Sequence, residues 1–378
     1  MTLAQTKTAP LLKPLARAVL GILSAMCISS NAAAQNATEV VADRISETTN
    51  ERDYGFTTGS IVVAPIPFKN SLIGAGLALG AGYLFQLDAN SDTSVIGLGG
   101  LRSENGSNAV ALSASLYFHE NRWKVGLTSG EAEMFYDLYI GGLPFAIRQD
   151  GTLTKTELLY GLTQDIRVGA NLRHLDTTIG YDGGTGSLPP LPDVNVELAS
   201  LSFVAEWDTR DDTFSARDGF LLDFEAMHGE ILNGSERSYQ KAVLSYSGYH
   251  PIGDAHSFAF KVTGCSVASA APFFDKCSLG GTDSFRGFNP TQYLDNAMLS
   301  AQAEYRHQFA SRFSAVLFGG AGMTGSQFGA LSDDGAHAAG GLGFRFQLSK
   351  KFKAMFAVDV AVNDEKDQSV YIYVGQRF

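Results

Sequence analysis

The chain has 378 residues, 45% hydrophobic, 11% aromatic and 18% charged, with a formal net charge of -11 at pH 7. That acidity argues against a nucleic-acid partner, and past the N-terminal region no run of about eighteen apolar residues is present to form a spanning helix. A soluble protein or a closed transmembrane barrel remains, the barrel being the other structure that satisfies its backbone inside a bilayer.

Residues 1–34 read as an export signal. Lys7, Lys13 and Arg17 surround the start of an apolar run over 18–28, and Asn31-Ala32-Ala33-Ala34 offers the small residues of a cleavage site. The run is too short to span a bilayer, and Met26 ahead of Cys27 does not suit a lipid anchor there. Cleavage removes three positive charges and no negative one, taking the formal charge from -11 to -14. Residues 35–58 carry Glu39, Asp43, Glu47, Glu51 and Asp53 and are predicted to form a short polar periplasmic tail, too short for a folded domain.

From Gly59 the hydrophobic period is two. Ile73, Ala75, Leu77, Leu79, Ala81, Tyr83 and Phe85 share a face, with Gly74, Gly76, Gly80 and Gly82 opposite, which lets something pack closely against that wall. The alternation recurs over 110–118, 299–309, 342–348 and 352–362, apolar on one side and polar or tiny on the other. A soluble sandwich also alternates, but one of 320 residues would divide into domains. Connections are short near 251–253, 310–311 and 349–350, and longer near 268–294, 325–335 and 363–367. The prediction is all-β: a transmembrane antiparallel β-barrel over 59–378 of about sixteen strands, range fourteen to eighteen, at roughly twenty residues per strand and connection. Short turns would be periplasmic, long loops outer, and the C-terminus periplasmic.

Loss of Cys27 leaves Cys265 and Cys277, which in an oxidising compartment are predicted to pair. Metal ligation is the alternative, with only His256 loosely near. The outer loop at about 268–294 carries Gly280-Gly281-Thr282-Asp283-Ser284-Phe285-Arg286-Gly287-Phe288-Asn289. Its glycines suit a tight fold that presents Arg286, and Glu304 lies on the polar face of the next strand beside Gln302 and Arg306. A guanidinium can hold a carboxylate through two hydrogen bonds and stays charged. A solvated loop arginine is the plainer alternative.

With Trp207-Asp208-Thr209-Arg210-Asp211-Asp212 and Asp218-Gly219, this loop resembles the BamA/TamA-type outer-membrane assembly family, the bacterial surface antigen barrels. The motifs carry the resemblance over 198–378, and strand pattern alone carries it over 59–197. It implies a sixteen-stranded barrel in the bacterial outer membrane. It also implies an inward-folded loop in which Gly281, Phe285, Arg286, Gly287 and Phe288 form the motif, with inner-wall carboxylates receiving Arg286. Where the family has an Asp on the following strand this chain has Gly320, so Glu304 is expected to act alone or with Asp359. Val370, Ile372 and Val374 lead to a terminal Phe378, which by resemblance is read by insertion machinery during biogenesis. Gly375 is expected to weaken pairing between last and first strands, a plain closing glycine being the alternative. Assembly members of the family carry periplasmic POTRA domains that residues 35–58 cannot hold, so a short member without them is expected.

No Gly-x-Ser-x-Gly is present, and Asp211-Asp212, His119-Glu120, His228 and His307 form no catalytic or zinc spacing. No enzyme activity, cofactor or metal is expected. The expected role is to assist insertion or translocation of proteins or lipids through a weak seam, with outer-membrane lipid and unidentified client proteins as partners. The alternative is a passive channel or structural surface protein with a loop-plugged lumen.

Overall fold

The computed structural model describes residues 61–183, 192–212, 215–234, 237–280, 285–331, 335–347 and 355–374. The wall begins with β1 (Ile61–Asn70), β2 (Gly74–Phe85), β3 (Ser94–Ser103) and β4 (Asn108–Phe118). Taller strands follow: β5 (Trp123–Ile140), β6 (Leu143–Gly161), β7 (Ile166–Tyr181) and β8 (Val194–Asp208). Next come β9 (Gly219–Ile231), β10 (Arg237–Pro251) and β11 (His256–Val267). A long loop then holds the two-residue strands β12 (Cys277–Ser278) and β13 (Leu294–Asp295), paired with each other. The wall ends with β14 (Ala297–Ala310), β15 (Phe313–Gly325), β16 (His337–Gln347), β17 (Met355–Asn363) and β18 (Gln368–Val374). Neighbours pair antiparallel, β11 pairs with β14, and β1 meets β18, so sixteen strands close into a barrel. The predicted strand number is therefore the observed one. The predicted signal peptide and tail, residues 1–58, lie outside the described residues.

Alternation sets which side chains face outward. Leu77 and Leu79 on β2, Leu98 on β3, Leu201 and Phe203 on β8 and Leu342 on β16 are all large, apolar and exposed on the exterior. A soluble fold would bury such residues; a bilayer solvates them. Near the rim away from the long loop, Trp207, Phe220, Tyr246 and Phe260 form a chain of rings across β8–β11, with centroids 5.0, 5.6 and 5.6 Å apart. Aromatic girdles of this kind mark a membrane interface.

Apolar packing also occurs inside the wall. The long loop turns inward, and Phe274, Cys277, Leu279, Phe285 and Phe288 pack with Leu175, Leu198, Tyr239, Val243 and Met298 in the main buried cluster. Across the lumen the inward glycines of β2 have a local use: a Cβ at Gly76 would stand 2.4 Å from the Phe68 ring of β1.

The junction of β1 with β18 differs from the rest of the wall. The Glu104 amide donates to the Ala75 carbonyl at 2.7 Å, so Ala75 turns its backbone groups toward β3. By alternation Gly76 and Ala78 turn theirs toward β1, and their partners Phe68 and Ile66 answer them. Pro67 and Lys69 therefore present their backbones to β18, Pro67 opposite Val374 in the register set by Lys69 and Ile372. On the other side, the Asn363 amide donates to Asp367, which places Ile372 and its even-numbered neighbours toward β1. Both parities agree with the Lys69↔Ile372 pairing, the one pair recorded between these strands among the described residues. In this register residues 67–70 of β1 stand opposite 371–374. Proline has no N–H, so among the described residues β1 lacks a donor at Pro67, on the side that meets β18.

Candidate functional site: a loop locked inside the barrel

The loop leaves β11 under restraint. Cys265 on β11 and Cys277 in the loop form a disulfide with Cα atoms 5.7 Å apart, and both residues are fully buried. Between them Phe273–Asp275 makes one 3₁₀ turn. Asp275 accepts hydrogen bonds from Arg173 of β7, at 2.5 Å, and from the Tyr239 hydroxyl of β10. Burial alone would push the Asp275 carboxyl upward, but Arg173 and then Lys241 outweigh it and hold it below the ordinary aspartate range. This ion pair joins residues 102 positions apart, and nothing in the local sequence marks it.

Arg286 is the second anchor. Its Nη2 is 2.7 Å from Glu304 Oε2 on β14, its Nη1 is 2.7 Å from Asp359 Oδ2 on β17, and its Nε donates to Gln302 Oε1 at 2.9 Å. The guanidinium carbon lies 3.7 Å from the centroid of the Phe318 ring on β15, a cation–π stack added to the ion pairs. Arg286, Glu304 and Asp359 are all fully buried. An unpaired charge there would be costly, and each of these charges is paired.

The wall supplies further members. Arg306 pairs with the other oxygen of Glu304 and donates to the Ala216 carbonyl at 2.8 Å. Arg345 on β16 pairs with Asp359, whose Oδ2 also accepts from the Tyr373 hydroxyl at 2.7 Å. Three guanidiniums thus face two carboxylates. Gly343 leaves space for this: a Cβ there would meet Asp359 Oδ1 at 2.2 Å and Arg345 Nη1 at 2.7 Å.

Of the residues singled out in the sequence, Phe285, Arg286, Gly287, Phe288, Glu304, Asp359, Cys265 and Cys277 converge in the lumen. Gly281 lies outside the described residues, as do Gly375 and Phe378. Gly287 adopts φ 119° and donates its N–H to the Tyr371 hydroxyl of β18 at 2.9 Å. A Cβ there would come within 2.4 Å of Ala339, so both backbone and space require glycine. The residue in place of the missing family acid also has a reason. A Cβ at Gly320 would stand 2.2 Å from the Ala301 carbonyl and 2.9 Å from the Phe285 ring, so Phe285 occupies the space an aspartate would need. Asp359 supplies the second carboxylate from two strands further on. Arg345, Tyr371 and Tyr373 were missed, although inward alternation on β16 and β18 identifies all three. Asp211 is a turn residue, its Oδ1 accepting from the Arg217 and Asp218 amides.

A closed barrel, apolar outside and holding an arginine-locked loop inside, belongs to the class of membrane-spanning β-barrels. The Omp85 superfamily domain matches residues 96–378, and the chain belongs to that superfamily. Its fold is similar to BamA from Haemophilus ducreyi lacking POTRA domains 1-3, with a TM-score of 0.59 and 15% identity over 90% of this chain and 78% of that one. It is also similar to CdiB from Acinetobacter baumannii (TM-score 0.59, 11% identity) and CdiB from Escherichia coli (TM-score 0.57, 14% identity), each over 82% of this chain. The chain spans 58% and 62% of those two CdiB chains. No curated protein sequence matches it. Members of the superfamily are outer-membrane insertion or transport barrels.

Proposed function

We propose that this barrel assists insertion of proteins into the outer membrane by parting the junction of β1 and β18. The observation that supports this reading most is Pro67, which faces Val374 of β18 and has no N–H to donate to it. The seam thus forgoes one hydrogen bond that an ordinary residue would supply, about 1 kcal/mol. An exposed edge with free acceptors can template a strand of another chain. In this reading the β1–β2 and β17–β18 turns face outward, and β18 runs down to a periplasmic C-terminus. Gly375 further loosens the seam, and Phe378 is read by insertion machinery when this chain is itself assembled.

The docked loop favours a closed lumen over a passive channel. The test is to reconstitute the full chain in lipid vesicles and add an unfolded outer-membrane β-barrel protein, following its folding by heat-resistant migration on gels. Accelerated client folding supports the proposal. No acceleration, together with a large steady conductance in planar bilayers, would establish the passive-channel reading instead.

A further inference from the structure

A seam short of hydrogen bonds needs another restraint at rest, and the loop segment 286–293 touches both of its sides. On the β17–β18 side, Arg286 pairs with Asp359 and Gly287 donates to Tyr371, as described above. In the turn beyond, Gln292 Nε2 donates to Glu365 Oε2 at 2.8 Å, and the Tyr293 hydroxyl donates to Glu365 Oε1. On the β1 side, Asn289 Nδ2 donates to the Ser71 carbonyl at 3.0 Å, and the Ser71 hydroxyl donates to the Phe288 carbonyl at 3.2 Å.

Both halves of the Ser71–Asn289 contact are held in place. Asn70 Oδ1 accepts from the Leu72 and Ile73 amides at 3.0 and 2.9 Å, shaping the β1–β2 turn that presents Ser71. Asn289 Oδ1 accepts from the Thr291 amide at 3.1 Å, which leaves its Nδ2 directed at Ser71.

We propose that segment 286–293 is the clasp of the β1–β18 seam, and that it releases on the β1 side. The inference rests on the insertion reading only for its purpose. Bonds to the β17–β18 side include the buried Arg286–Asp359 ion pair, whereas those to the β1–β2 turn among the described residues are two neutral hydrogen bonds, the weaker kind. Opening therefore breaks the Ser71–Asn289 contact first. β1 and the β1–β2 turn move away while the loop stays docked on β14, β17 and β18.

The test is hydrogen exchange of the full chain in detergent or nanodiscs, comparing wild type with Ser71→Ala/Asn289→Ala. Exchange in 61–70 and 368–374 should rise about thirtyfold, as expected for two lost bonds, with little change in 285–288. Unchanged exchange at the seam, or an equal rise throughout the loop, would overturn the clasp. A second variant, Ser71→Cys/Asn289→Cys, with peptide mapping to show the Cys265–Cys277 bond intact, should slow seam exchange below wild type; no slowing would count against the proposal. The two readings fail separately. If seam exchange rises in the alanine variant but client folding in vesicles never depends on the protein, the insertion reading falls and the clasp stands. If client folding is accelerated yet seam exchange ignores both variants, the clasp falls and the insertion reading stands.

Discussion

Deleting Glu304 should harm the barrel more than deleting Arg286, although Arg286 is the residue that the loop motif displays. The reason is charge balance in a buried site. Three guanidiniums, Arg286, Arg306 and Arg345, share two carboxylates, Glu304 and Asp359. Arg286→Ala leaves two of each, with Glu304 still paired to Arg306 and Asp359 to Arg345 and Tyr373. Glu304→Ala leaves three guanidiniums facing one carboxylate, and Arg306 loses its ion pair with Glu304. Breaking a buried pair costs roughly 3–5 kcal/mol, the upper end applying where a charge is left uncompensated. The expectation is therefore about 3 kcal/mol for Arg286→Ala and about 5 kcal/mol for Glu304→Ala. Glu304→Gln, which keeps the shape, should resemble Glu304→Ala more than wild type. Urea unfolding of the detergent-solubilised barrel, followed by tryptophan fluorescence and gel migration, measures the order. If Arg286→Ala is the more destabilising, the cluster is not balanced as described.

Three other outcomes follow from particular contacts. Pro67→Val restores a donor toward β18 and should stabilise the closed seam by about 1 kcal/mol, read as slower hydrogen exchange over 368–374 and slower client folding. Cys265→Ser/Cys277→Ser removes a crosslink between residues 12 apart; by chain entropy this should lower stability by about 3 kcal/mol and expose 268–280 to protease first. Asp275, whose carboxyl is held below the ordinary range, contributes docking stability that is fully present above its unfolded value of about 4 and is lost as pH falls through its lower folded value. Protease exposure of the loop should thus increase in wild type below about pH 4, and Asp275→Asn should raise exposure at neutral pH while flattening that part of the pH profile.

Much of the fold was legible because a strand's side-chain period is two and a bilayer inverts the burial rule. Leu342 and Phe344 outward, Arg345 inward, can be read from residue order alone. The same alternation placed Glu304 on the inner face beside the loop's arginine. Other features depend on which strands the closed barrel brings near one another. Asp359 serves Arg286 from a strand distant in sequence, while the nearer Gly320 is filled over by Phe285. Asp275 meets Arg173 across 102 positions. The role of Pro67 was hidden for a different reason: hydrophobicity reports where side chains point, not which neighbouring strand each N–H faces. That parity emerged only from the hydrogen bonds of Ala75 and Asn363.

The account turns on whether β1 and β18 separate during function. Lys69 and Ile372 are paired partners across the seam, so Lys69→Cys/Ile372→Cys places two thiols within disulfide range. Client folding into vesicles should stop in the oxidised variant and return on mild reduction, with each single cysteine variant active throughout. Undiminished client folding by the fully crosslinked barrel would contradict the account.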